Sequence, residues 1–571
     1  MFRLFRAQSW KVFLMVFASF VLVSRGSAQQ SCPGPTIGSA NTVTADPPVA
    51  RPGTQPCVVP LFTNVAFADF SPKSFSFTPP AGCPGPWAKV VFEGDFSITA
   101  GRQFDRTANV WIGGANVYFG TTAEPSRTVS RCWHVERDLT DYSALFTAPQ
   151  AGEADLGNLV NSTFTSVITG SADLQFYPVA PPAQPPVTAD VVLPLSAGPT
   201  GGTVDLATSS SMLARSFSMP SNVERAYLDV FAQSQANDEF WYTCVPDDVA
   251  NELQSCGATA FRETEITIDG TPAGVAPVYP WIYTGGIDPF LWRPIPGVQA
   301  LNFIPYRVDL TPFAGVLSNG RTHQVALSVF NADFHFSVTA SLLLYLDHGS
   351  SQVTGEVTEN TIGAGPTPDI QENLVNMNGN ITGTVTVRSA RRFEVAGFVN
   401  TSHGKVRTEV EQKIKFSNEQ AFNISASTFV QDIKQRTNIS SRTTTKDRGA
   451  EVETSEEFEW PLAFNFSFVV NADGSGSQTT TIRQEFEREQ GVTVQDHRVF
   501  RSVVEDVVEP SDTLLFNASG AITGNQGQAN SQRYFSRDSS GACYSQRIKA
   551  AGGVLTDIID GERCEQRDDD H

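Results

Sequence analysis

Phe464-Asn-Phe-Ser-Phe-Val-Val470, then Asn471-Ala-Asp-Gly-Ser-Gly-Ser477, then Gln478 to Phe486, form a strand, a loose turn and a second strand. Phenylalanine alternates with Asn and Ser in the first run, the period of two that puts successive side chains on opposite faces of a sheet. The middle run holds residues that favour turns. The same signature recurs. Ser74-Phe-Ser-Phe-Thr78 and Ile381-Thr-Gly-Thr-Val-Thr-Val387 alternate, and Ala226 to Phe231 and Leu342 to Leu346 read as strands. Glu265-Ile-Thr-Ile-Asp-Gly270 is a strand ending in an Asp-Gly turn. Helical periodicity is scarce, with one short helix expected in Ser417 to Lys434. With 44 Gly and 35 Pro to make turns, the chain reads as all-β.

Length suggests roughly three to four domains of ordinary size. Two breaks divide the chain: the Pro-rich Tyr177-Pro-Val-Ala-Pro-Pro-Ala-Gln-Pro-Pro-Val187, and Gly349 to Pro368, rich in Gly, Ser, Thr and Pro. The expected plan is a signal peptide (1–28), a tail (29–59), two β domains (60–180 and 187–348) and a β-rich C-terminal region (369–571). Arg3, Arg6 and Lys11 precede an apolar run from Val12 to Val23, and Gly26-Ser27-Ala28 suits a cleavage site. That run is short for a membrane span, so the expectation is a secreted, extracellular or wall-associated protein without stable membrane attachment. Losing residues 1–28 removes four positive charges and no acid, taking the net charge from −20 to −24. Such a chain repels nucleic acid and anionic membranes, while a neutral glycan or peptide partner stays compatible.

All eight Cys follow the signal segment, which in an exported chain predicts disulfides. Cys244–Cys256 and Cys543–Cys564 are the local pairs. Cys32, Cys57, Cys83 and Cys132 pair among themselves, with Cys57–Cys83 favoured. These spacings and the seven His do not read as a zinc site, so neither metal nor cofactor is expected. N-glycosylation sequons begin at Asn161, Asn380, Asn400, Asn423, Asn438, Asn465 and Asn517.

The segment richest in chemistry is Arg102-Gln-Phe-Asp-Arg-Thr-Ala-Asn-Val-Trp111. Asp105 beside the permanent cation Arg106 suits a base that activates water. Trp87 to Glu93, Gly101 to Arg106, Val110 to Gly114, Thr121-Thr-Ala-Glu-Pro125 and Trp133 to Tyr142 run in order. Asn158-Leu-Val160, Asn237-Asp-Glu-Phe-Trp-Tyr242, Phe261-Arg-Glu263 and Leu344-Tyr-Leu-Asp-His348 follow. Together they resemble the peptide N-glycosidase A family of plants and fungi, secreted amidases that remove whole N-glycans from asparagine. Phe104 to Val110 also resembles the segment bearing the catalytic aspartate in the bacterial F-type peptide N-glycosidase. The resemblance implies two tandem antiparallel jelly rolls with the site in a cleft between them. It also implies N-glycosylated peptides or glycoproteins as substrates, and a chain open to proteolytic splitting into two associated pieces.

On that reading Asp105 is the base, Arg106 holds it or polarises the amide oxygen, and Glu239 and Glu263 are candidates for the acid, with Asp238 a third. Glu124, Asp238, Trp241 and Arg262 are candidates for substrate contact, Trp241 as a platform for a pyranose ring. Matching Phe261-Arg262 to the bacterial pattern leaves Ala258 where an acid is expected. Two alternatives stand beside the amidase: an inactive glycan-binding or wall protein, and a two-carboxylate glycoside hydrolase.

Overall fold

The computed structural model describes residues 31–565; the signal-peptide segment 1–28 and the terminal Asp568–His571 lie outside the described residues. The first eight strands are β1 (Cys57–Phe67), β2 (Lys73–Phe77), β3 (Trp87–Ile98), β4 (Thr107–Ile112), β5 (Ala115–Thr121), β6 (Arg131–Asp138), β7 (Gln150–Asp155) and β8 (Ile168–Pro178). They form two four-stranded antiparallel sheets, ordered β1-β8-β3-β6 and β2-β7-β4-β5. This interleaved order is a jelly roll: successive strands alternate between two facing sheets, except β4 and β5, which pair as a hairpin within one. Phe77, Phe92, Tyr118, Phe146 and Phe176 fill the space between them, each fully buried. Gly113 and Gly114, at φ 56° and 85°, make the two-residue turn from β4 to β5, where both positions need the left-handed region.

The pattern repeats in β9 (Val191–Leu195), β10 (Val204–Leu206), β11 (Leu213–Ser218), β12 (Val223–Ser234), β13 (Glu263–Ile268), β14 (Thr271–Pro277), β15 (Tyr306–Asp309), β16 (Thr322–Phe330) and β17 (Phe336–Leu346). One sheet runs β10-β17-β12-β15 with β9 also on β17, and its partner runs β11-β16-β13-β14. Counting β9 and β10 as one interrupted strand reproduces the first sandwich's order. The Asp269-Gly270 turn joins β13 to β14 with φ 50° and 78°.

The two sandwiches touch through β5, every residue of which is buried. Phe119 packs on Phe231 and Phe303 at 5.7 and 5.1 Å between ring centres. The Tyr118 hydroxyl donates to Leu301 O (2.7 Å) and the Thr121 N–H to Ala300 O (2.8 Å). Tyr142 and Arg307 both reach the buried Asp229.

Beyond residue 353 the chain forms one antiparallel sheet of twelve strands, Thr354 to Asp560. Five of them, Asn380–Thr401, Gly404–Ile424, Thr428–Asp447, Ala450–Val470 and Gly476–Val494, are 19 to 22 residues long, roughly 65–75 Å each. The hairpin read at 464–486 is the junction of the last two. The expected helix in Ser417 to Lys434 is replaced by the end of one strand and the start of the next. The reason lies on the sheet's inner face, where Asn418, Gln420, Gln431 and Gln435 interrupt the apolar Phe422, Ile424 and Ile433. These buried amides masked the period of two. Asn418 donates to Tyr242 O, Gln420 to Cys244 O, and Gln431 to Thr243 O. They satisfy carbonyls of an irregular segment that has no strand partner for them. Gln484 bonds Pro280 O and Val298 N–H, and Asn530 bonds Leu291 O and Ile295 O. The long sheet therefore holds the 280–298 connection in place.

Disulfides join Cys57–Cys83, Cys244–Cys256, Cys543–Cys564 and Cys32–Cys132. The last ties the N-terminal tail to β6. Arg51 of that tail ion-pairs with Glu93 and Glu136 on β3 and β6, so a cation already occupies the Glu93–His134–Glu136 cluster.

Candidate active site

Asp105 stands two residues before β4. Its backbone neighbour is locked in place: the Arg106 N–H donates to Thr122 Oγ1 (2.9 Å) and the Thr122 N–H to Arg106 O (2.8 Å). The carboxylate crosses to the second sandwich, where Oδ2 accepts the Gly285 N–H at 2.9 Å and lies 3.4 Å from the Thr284 hydroxyl. The hydroxyl in turn donates to Thr122 O. Burial pushes the Asp105 carboxyl up, and the Gly285 N–H, Thr284 and Arg106 pull it back.

Gly285 permits this approach. A Cβ there would lie 2.4 Å from Asp105 Oδ1 and 3.0 Å from Glu124 Oε2. Both carboxylates thus crowd one backbone atom. Glu124 is buried, accepts from Arg293 Nη2 at 3.0 Å and from the Asp105 N–H, and is pushed up to about 8 by burial and by the Asp105 charge. Arg106 bonds Gln103 Oε1 (2.8 Å) and lies over the Phe104 ring. Asp105 is held by Gly285 and not by a forked pair with Arg106.

A cavity of about 450 Å3 opens at this point, bordered by Asp105, Arg106, Gln233, Glu239, Tyr283 and Phe70. Glu239 enters it from a short turn after β12. Burial raises its carboxyl to about 7, and the charge of Asp105 adds to the rise. Phe70 on the cavity border is 65% exposed, an aromatic surface on which a pyranose can stack.

The other candidates lie elsewhere. Asp238 is fully buried: it pairs with Arg262 at 2.9 Å and accepts the N–H groups of Asp333, Phe334 and His335. Arg262 also donates to the carbonyls of Ala258, Thr259 and Phe261. The pair is buried and its hydrogen bonds are internal, so it anchors the turn from which Glu239 projects. Trp241 is 1% exposed and packs on Tyr242 and Phe416 at 5.9 and 6.3 Å, so it has no free face for a sugar. Glu263 ion-pairs with Arg391 of the long sheet, away from the Asp105 cavity; burial raises it to about 7. Trp87 and Trp111 are core.

Sequence reasoning missed Tyr283, Thr284, Gly285 and Arg293. The signal present was the Gly285-Gly286 pair after an aromatic run, a mark of close backbone approach.

The description of the family model that matches residues 48–362 is peptide N-acetyl-beta-D-glucosaminyl asparaginase amidase A. A peptide-N4-(N-acetyl-beta-glucosaminyl)asparagine amidase A of Prunus dulcis is 31% identical over 396 residues, covering 65% of this chain and 67% of the relative. Among solved structures, PNGase F from Flavobacterium meningosepticum aligns with 51% of this chain and 96% of its own at 13% identity and a TM-score of 0.34. PNGF-II aligns with 52% of this chain and 66% of its own at 13% identity and a TM-score of 0.36. The chain belongs to the peptide N-acetyl-beta-D-glucosaminyl asparaginase amidase A family.

Proposed function

We propose that this protein is a secreted glycoamidase that hydrolyses the amide between asparagine and the innermost N-acetylglucosamine of N-glycans. The observation that supports the reading is one cavity bordered both by Asp105, held by the Gly285 N–H, and by Glu239 with its raised carboxyl. Amide hydrolysis needs an activated water, a stabilised oxyanion and a protonated leaving nitrogen. Asp105 orients the water and takes its proton. Arg106, a cation on the cavity wall, steadies the charge that develops on the amide oxygen. Glu239, protonated up to about pH 7, gives its proton to the departing nitrogen. Glu124 and Arg293 brace the Asp105 segment. The peptide keeps aspartate, and the glycan leaves whole as a glycosylamine that loses ammonia in water. Four disulfides support export to an oxidising compartment.

The test is the mass of the peptide after incubation with a defined N-glycopeptide. A bare peptide with Asp for Asn supports the amidase. A peptide that keeps one sugar on Asn overturns it in favour of a two-carboxylate glycoside hydrolase. Binding without release by both the wild type and Asp105→Asn would leave only a glycan-binding protein.

A further inference from the structure

We propose that Asp288, Thr480, Asp512 and Asn525 form a calcium site that ties the connection carrying Gly285 to the long C-terminal sheet.

The sheet supplies three of the four residues. Thr480, in the strand Gly476–Val494, pairs directly with Asp512, in the strand Ser511–Phe516. Directly opposed residues share a face, with Cβ atoms about 5 Å apart. That face is the inner one, because Thr480 is 0% and Asp512 3% exposed. The strand Ile522–Asp538 brings Asn525 alongside, and its Nδ2 donates to Asp512 Oδ2 at 2.8 Å. The fourth residue arrives from the second sandwich. Asp288 is 1% exposed and stands three residues after Gly285. Its Oδ1 accepts the Phe290 N–H at 2.8 Å, and its carboxyl lies within hydrogen-bonding reach of Asp512. The connection cannot swing away from the sheet, since Gln528 donates to Phe290 O and Arg293 O, and Asn530 to Leu291 O and Ile295 O.

Once these bonds are made, four buried oxygens have no hydrogen-bond partner among the described residues: Asp288 Oδ2, Asp512 Oδ1, Thr480 Oγ1 and Asn525 Oδ1. The adjacent register pair is self-sufficient by contrast. Thr479 and Thr513 lie on the opposite face and their hydroxyls bond each other at 3.0 Å. A buried acceptor without a donor costs about 1–3 kcal/mol, and more when it is charged. Two neighbouring buried carboxylates also repel unless a cation stands between them. Arg293, the cation that acts on Asp288, is already bonded to Glu124 and Pro125 O. A water can donate to these oxygens but cannot offset two negative charges. A dication does both.

The donor set selects the ion. It offers two carboxylates, an amide oxygen and a hydroxyl, with no nitrogen or thiolate, which favours a hard cation over zinc or copper. The four come from three strands and a loop, an irregular shell. Calcium accepts about six to eight oxygens in flexible geometry, whereas magnesium demands a near-ideal octahedron. Asn525 is half-buried, so the site lies near enough to the surface for an ion to enter and for water to complete its shell. In calcium-free solution the raised Asp288 and Asp512 carboxyls keep a proton between them instead. With calcium bound, the connection is cross-linked to the sheet three residues from Gly285, whose N–H holds Asp105.

The experiment uses the full chain, dialysed against a chelator and titrated with calcium chloride at about pH 7.5 by calorimetry, with magnesium chloride as the comparison. One calcium per chain is expected, bound at least about 10-fold more tightly than magnesium. Asp512→Asn should abolish that binding. Thr480→Val, which keeps the side-chain shape and loses only the oxygen, should weaken it about 10-fold. Saturating calcium should raise the melting temperature of the wild type by about 2 °C or more and leave that of Asp512→Asn unchanged. No saturable calcium binding, or binding that survives Asp512→Asn undiminished, overturns the proposal and leaves a shared proton or a bridging water between the carboxyls. Equal affinity for magnesium overturns the choice of ion. Should Asp512→Asn fail to fold, Asp288→Asn and Thr480→Val are judged by the same criteria. Neither readout uses glycan hydrolysis, so the outcome is independent of the amidase reading.

Discussion

Replacing Gly285 by Ala tests how closely Asp105 must be held. The new methyl carbon would lie 2.4 Å from Asp105 Oδ1, 2.8 Å from its Cγ and 3.0 Å from Glu124 Oε2. Ordinary contact begins near 3.4 Å, so the carboxylate must retreat by about 1 Å or the 280–298 connection must move. That connection is fastened to the long sheet by Gln484 and Asn530, so Asp105 gives way. A displacement of about 1 Å costs on the order of 100-fold in rate, or about 2.7 kcal/mol of barrier. Stability should change little, because removing a glycine also reduces the freedom of the unfolded chain, by about 0.4–1 kcal/mol. The assay is kcat and KM on a defined N-glycopeptide, with the melting temperature measured beside it. Gly286→Ala is the control: its nearest contacts would be 3.2 and 3.4 Å, and its activity should stay within a few-fold of wild type. Full activity in Gly285→Ala at unchanged stability would refute the claim that the Gly285–Asp105 contact sets the catalytic geometry.

Asp105→Asn should lower kcat by about 1000-fold with little change in glycopeptide affinity, read by turnover and by calorimetric binding. The rate should fall as pH rises through about 7, where Glu239 loses its proton, and Glu239→Gln should abolish that limb along with most of the activity. Gln484→Leu leaves Pro280 O and Val298 N–H buried without partners, so it should cost about 2–4 kcal/mol of stability in denaturant titration and lower kcat more than it raises KM. Asp288 and Asp512 form a buried carboxyl pair linking the 280–298 connection to the long sheet, with Asp512 raised to about 7 and Asp288 also raised. Because folding raises both, the stability they contribute is complete below about pH 4 and is lost as pH climbs through about 7. Asp512→Asn should flatten that decline in melting temperature.

The β character was legible because most of the chain obeys one rule, a large apolar residue on every second position, as in Phe464 to Val470. It failed where the inner face changed chemistry. At Asn418 to Gln435 the sheet covers an irregular loop whose carbonyls need donors, so amides replaced hydrophobes and the pattern dissolved. A similar limit governed the site. Adjacent acids and aromatics at Asp238 to Tyr242 look alike in sequence, yet Asp238 is consumed by Arg262 and three N–H groups contributed from 95–97 residues away. Trp241 is consumed by Phe416 of the long sheet. Glu239 alone of that run borders the cavity. The partner that holds Asp105 comes from 180 residues further along the chain, a contact that no local spacing encodes.

The central claim is tested most directly by turning over one N-glycopeptide in heavy-oxygen water and locating the label. If Asp105 activates water against the asparagine amide, the heavy oxygen enters the side-chain carboxyl of a new aspartate in the peptide, and Asp105→Asn abolishes its appearance. Heavy oxygen at a sugar C1, with asparagine intact in the peptide, would contradict the account.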